Sequence, residues 1–201
     1  MKTKLILALL VVSPLLGFGQ KFKILSGSFE PLKGETEFNV QMDYSQVKFY
    51  KENMTEKQYI DKRKKEITAD KGAAEADKWL SDWERTKSVQ IVDKVVAVTN
   101  KHNGKDHKYS AEGDAKYTLV VRPQWVDPGW FGGAVKKPSQ LNVIFDFVET
   151  ANPSKVIVSV NCTGAIGDMY PMGIANTNDR IAEAFGQGSA AFVKFVKKNL
   201  K

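Results

Sequence analysis

Apolar and polar residues alternate most regularly between Ala115 and Cys162. Tyr117, Leu119 and Val121 share one side of a first run, and Leu141, Val143, Phe145 and Phe147 one side of a second. Val156, Val158, Val160 and Cys162 share one side of a third. A period of two in β-branched and aromatic residues marks strands with one buried face. Ala151-Asn152-Pro153-Ser154 supplies turn residues between the second and third runs. The pattern predicts a three-stranded antiparallel meander over 115–162. Two earlier runs predict N-terminal strands: 22–27, and 36–44, where Phe38, Val40, Met42 and Tyr44 alternate with polar residues. The second of these can pair with the first or with the meander.

Helical spacing fills the remainder. Thr55 followed by Gln58 forms a capping-box signature, opening a charged helix that reaches Ala69 and is interrupted by Gly72. Ala76, Trp79, Leu80 and Trp83 mark a second helix over 73–86. The run 89–99 carries Ile91, Val95 and Val98 at helical spacing, and Asp93 and Lys94 break the alternation a strand would need, so helix is favoured. Residues 101–114 and 164–178 are polar or glycine-rich and predict loops. From Asp179 to Leu200, Ile181, Phe185, Gly188, Phe192 and Phe195 recur every three or four residues, with acids early and lysines late, as the helix dipole favours. Gly188 fits a close approach of this helix to the sheet; no sequence pattern accounts for Gly186. The fold class is α+β: an antiparallel β-sheet, the meander 115–162 plus N-terminal strands, with helices packed on one face, including a long C-terminal amphipathic helix.

Residues 1–19 read differently. Lys2 and Lys4 precede an apolar run, Leu5–Leu16, and Gly17 and Gly19 stand three and one before Gln20. That is the form of a secretory signal peptide cut after Gly19. The run is too short for a bilayer, which needs roughly 20 residues, and no Cys lies near the cut, as lipidation of the bacterial lipoprotein kind would require. No later segment predicts a membrane span. The mature chain, 20–201, is of a size for a single domain. Loss of two lysines and no acid takes the net charge from +7 to +5. The lysines are dispersed rather than gathered among aromatics, which argues against nucleic acid. A lone Cys, Cys162, excludes an internal disulfide and, on the apolar side of its strand, predicts a buried, inert thiol.

Candidate chemistry concentrates in 122–138, a connection far longer than a usual hairpin loop. Arg122, Trp125, Trp130 and Phe131 there combine flat apolar faces with hydrogen-bond donors, the elements of a glycan or peptide platform. The same rings also suit a structural role, covering the open end of the sheet. His102, Asp106 and His107 match no metal-site spacing, and Gly164–Gly173 lacks the Lys-Ser/Thr of a phosphate loop. No nucleophile motif is present. Neither a metal nor a cofactor is predicted.

Several stretches together resemble small secreted proteins of gut and environmental bacteria. They are Ile24-Leu25-Ser26-Gly27, Leu32-Lys33-Gly34, Val40 to Ser45, Ala115-Lys116-Tyr117, Pro128-Gly129-Trp130 and the Phe-rich last helix. The order strand, helix, three strands, helix is similar to the N-terminal domain of TolB, which serves protein contacts in the periplasm, although this chain lacks the TolB repeat domain. These resemblances imply a secreted or periplasmic address and a non-enzymatic envelope protein of binding or assembly. They assign no functional residues. The expected ligand is another protein, or a glycan at the aromatic segment. A secreted hydrolase acting on polymers is the opposing class, and a homodimer formed through that segment is a third possibility.

Overall fold

A computed structural model describes residues 20–103, 106–167, 170 and 172–200. The expected signal peptide lies outside the described residues. In chain order the elements are β1 (Lys21–Gly27), β2 (Glu37–Met42), β3 (Lys48–Phe49), α1 (Glu56–Lys71), α2 (Ala73–Arg85), α3 (Ile91–Asn103), β4 (Lys108–Ser110), β5 (Tyr117–Asp127), β6 (Trp130–Gly132), β7 (Val135–Lys137), β8 (Gln140–Glu149), β9 (Asn152–Ile166) and α4 (Thr177–Leu200). Seven strands form one sheet in the order β1-β9-β8-β5-β2-β4, with β3 continuing the β2 side of β5, and β6 and β7 form a separate hairpin.

The meander is present: β5, β8 and β9 are antiparallel neighbours, and β1 adds to β9 antiparallel. The sheet is nevertheless mixed, not antiparallel throughout. β2 runs parallel to both β4 and β5, and β3 runs parallel to β5. Parallel neighbours need a crossover connection, and α1, α2 and α3 lie in the chain between β2 and the strands on either side of it. The strand over 36–44 therefore pairs with the meander and not with β1.

Three segments read as loops contain regular structure. β5 extends through Arg122 and Trp125 to Asp127, and most of the chain from there to Lys137 is the β6–β7 hairpin. α3 reaches Asn103 and β4 occupies Lys108–Ser110 within the polar stretch 101–114. β9 continues to Ile166, past Gly164, whose φ of 75° and backbone N–H to Asn142 Oδ1 (3.0 Å) mark a bulge. A bulge hides a strand from a strict period-two reading because it shifts the alternation by one residue.

The helices hold where the pattern put them. Thr55 and Gln58 form the reciprocal cap of α1. Residues 91–103 are helical, with Ile91, Val95 and Thr99 buried at a spacing of four, after one wide turn over Thr86–Gln90 that joins α2 to α3. Tyr59, the one buried residue of α1, stacks on Phe49 at 4.2 Å. Under α4 the inward residues of the sheet are sealed: Phe192 stacks on Phe145 at 4.1 Å, and Phe195 lies on Phe22 at 5.1 Å. A Cβ on Gly188 would meet the Cβ of Ala165 at 3.3 Å, which accounts for that glycine as a close helix–sheet contact. Gly186 also gains a reason, since it faces the aliphatic stem of Lys94, whose ammonium pairs with Glu183 at 2.9 Å. Cys162 is fully buried, and burial pushes its thiol pKa up to about 12.

Candidate functional site

The four candidate residues fall into two groups. In β5, Asp43 N–H donates to the carbonyl of Val121, so the strand turns that residue's polar groups toward β2. Pro123, two residues on, turns the same way, into the gap after β2 ends and before β3 pairs at Trp125 and Val126. Proline is tolerated there because no neighbouring strand needs its N–H. One extra residue, Gln124, then breaks the register between β5 and β8. Without that bulge Trp125 would stand opposite Leu141, over the core; with it Trp125 stands opposite Asn142, on the outer face of the sheet beside Arg122.

On that outer face the polar atoms of both residues are largely engaged within the protein. Arg122 Nε donates to Asp146 Oδ2 at 2.8 Å, and Nη1 donates to Asp43 Oδ2. Asp43 also accepts from Ser45 N–H at 3.0 Å, and that bond, with the Arg122 charge as a smaller contribution, holds its carboxyl below the usual carboxylate value. Trp125 Nε1 donates to the Tyr50 carbonyl at 2.7 Å. The guanidinium ties β2, β5 and β8 together, and the indole ties β5 to the segment leading into α1.

Trp130 and Phe131 lie elsewhere, on the β6–β7 hairpin. Gly129 has φ 64°, and a Cβ there would sit 2.2 Å from the Lys137 carbonyl, so only glycine starts this hairpin. Its base is fixed by Asp127, which accepts from Gly129 N–H at 2.9 Å and pairs with Lys137. Arg180, buried at the start of α4, donates to the Pro128 carbonyl at 3.3 Å and to the Ile174 carbonyl at 2.7 Å, joining hairpin to helix. Trp130 is 48% exposed. Its ring stands at a cleft of about 220 Å³ whose other walls include Tyr50, Arg63, Phe131 and Thr177. Arg63, Ala175 and Thr177 also border a second cleft of about 520 Å³, which Trp79, Glu66, Asp70, Glu75 and Asp82 line. No carboxylate or imidazole is among the described residues that line the Trp130 cleft.

Sequence reasoning missed Tyr50, Arg63 and Arg180. Only the turn 50–54 with its two positive-φ residues, Tyr50 and Asn53, hinted at special geometry, and that is visible in coordinates alone. His107 leans on Phe38 with ring centroids 5.5 Å apart, and burial lowers its pKa. Among the described residues no group of three or more His, Cys, Asp or Glu could hold a metal, and no described helix is long and apolar enough to cross a membrane.

No family model and no curated protein matches the chain. Among solved structures, the PelC dodecamer from Paraburkholderia phytofirmans in space group P6 is similar over 86% of this chain and 96% of that one, with 12% identity and a TM-score of 0.35. A point variant of the same dodecamer in space group C2 covers 86% and 98%, again at 12% identity, with a TM-score of 0.32. A superposition that loose carries no inference about what this chain binds.

Proposed function

We propose that the protein is an exported, non-enzymatic binding module of a bacterial cell envelope, and that it holds a glycan at the Trp130 cleft. The observation that carries this reading is the half-exposed Trp130 indole at the rim of a cleft walled by Tyr50, Phe131 and Arg63. Flat aromatic faces receive the C–H faces of sugar rings, and neighbouring donors receive the hydroxyls. Arg63, Tyr50 and Thr177 in the lining supply polar groups for such hydroxyls. Export is the expectation drawn from residues 1–19.

Glycan-array binding by the mature chain tests the reading. Binding to a defined glycan class is expected, lost in Trp130→Ala with an unchanged melting temperature. Absence of any glycan bound above background, or binding that survives Trp130→Ala, removes the proposal.

A further inference from the structure

A third cleft, of about 750 Å³, lies at the other end of α4. From Thr177, which lines the Trp130 cleft, to Lys197, which lines this one, the helix rises roughly 30 Å, so the two sites are independent. Three separate parts of the chain build it. The turn after the short helix Glu30–Leu32 brings Lys33, the segment before β4 brings Asp106 and His107, and the last turns of α4 bring Lys194, Lys197 and Lys198. Leu32 and Leu200 give it an apolar margin.

Its charge is one-sided. Four ammonium groups face a single carboxylate among the described lining residues. Lys197 pairs with that carboxylate, Asp106, at 3.1 Å, and Lys33 pairs with Glu30 at 2.9 Å. Lys194 and Lys198 have no ion-pair partner among the described residues. Burial lowers the His107 pKa; the Asp106 charge opposes that shift and the Lys197 charge adds to it more weakly. Lysines at a helix C-terminus suit the dipole, but the dipole offers only about half a negative charge and does not explain Lys33 converging from another element. A concave surface concentrates such a field on whatever enters it.

We infer that this cleft binds a multivalent anion, a small molecule or headgroup carrying two or more phosphate or carboxylate groups, held chiefly by Lys194 and Lys198. A singly charged anion would gain too little from one ammonium in water to be retained, whereas adjacent anionic groups engage several lysines at once. The same chemistry is presented by a free polyanion and by an anionic lipid surface.

Two measurements on the mature chain distinguish these sources and test the inference. Pyrophosphate is titrated calorimetrically, and vesicles of phosphatidylglycerol are compared with vesicles of phosphatidylcholine by co-sedimentation. Both are run on the wild type, on Lys194→Ala/Lys198→Ala, and on Lys51→Ala/Lys65→Ala, which removes the same charge from exposed positions elsewhere. Saturable pyrophosphate binding that weakens roughly tenfold in the first variant, keeps its strength in the second, and fades with added salt supports a free-anion site. Binding to phosphatidylglycerol vesicles with the same variant pattern supports the lipid source. Equal losses in both variants reduce the effect to net charge and overturn the inference, as does binding to neither probe. Melting temperatures of the two variants confirm that folding is intact, and retained glycan binding separates this outcome from that of the Trp130 cleft.

Discussion

The two faces of the central sheet are made by the same strands and stabilised by different physics. On the inner face Leu119, Val121, Phe145, Phe147, Val158 and Val160 are buried in one core with Phe185 and Phe192, and Phe192 of α4 covers Phe145 and Phe147. On the outer face Arg122 crosses to Asp43 and Asp146, with Trp125 and Asn142 beside it. The inner face gains from area removed from water and tolerates little change of shape. The outer face also buries Val120 and Val148, but around Arg122 it gains from directed pairs whose value depends on both partners being present. A face of the first kind holds the fold. A face of the second kind ties neighbouring strands to one another, here β5 and β8 with the segment that follows β2.

The largest effect expected from breaking this contrast is at Phe192. Its replacement by Ala removes a fully buried ring stacked on Phe145 and is expected to cost about 3–5 kcal/mol in urea unfolding. Cys162 gives a second readout on the same face. Buried, with its thiol pushed up to about 12, it should resist alkylation at pH 8 in the wild type and react in Phe192→Ala at a rate that follows the lost stability. Rapid labelling of the wild type would contradict a sealed inner face.

Arg122→Ala should cost less, roughly 1–3 kcal/mol, the penalty of leaving a buried carboxylate at Asp146 without its cation. Adding Asp146→Asn should recover part of that loss; if the double variant is no better than the single, the pair is not what the outer face depends on. Acid gives a milder perturbation. The carboxyl of Asp43 is held below 3.8, the ordinary value for an aspartate, so its contribution is complete above that pH and is lost as the pH falls through the lower folded value. His107 acts in the same direction but earlier: with its folded pKa below 6.5, stability declines as the pH drops through 6.5 toward the folded value. A chain equally stable at pH 7 and pH 5.5, or a decline unaffected by His107→Gln, would refute that assignment. The smallest effect on stability belongs to Trp130→Ala, within about 0.5 kcal/mol, because its ring is half exposed on a hairpin outside the main sheet.

Local periodicity was enough to place the meander, the cap of α1, the helical character of 91–99 and the stripe on α4, because each depends on residues within a few positions of one another. The alternation also put Cys162 on the buried side of β9 with Val158 and Val160, and the helical stripe put Gly188 against the sheet; Val156, which the alternation placed on that same side, instead stands opposite Val148 past a bulge and is exposed, because the extra residue in β9 shifts the alternation by one. The parallel pairing of β2, the strand hidden in 122–127 and the separation of Arg122 and Trp125 from Trp130 and Phe131 were decided by tertiary structure alone. Pairing direction depends on a crossover through three helices, and the facing of Trp125 depends on one extra residue, Gln124, whose effect appears only when β8 is laid beside it. Tyr50, Arg63 and Arg180 meet near Trp130 from positions as much as 130 residues apart in the chain, and no local pattern encodes that meeting, because the three-dimensional path that closes it is set by the packing of everything between.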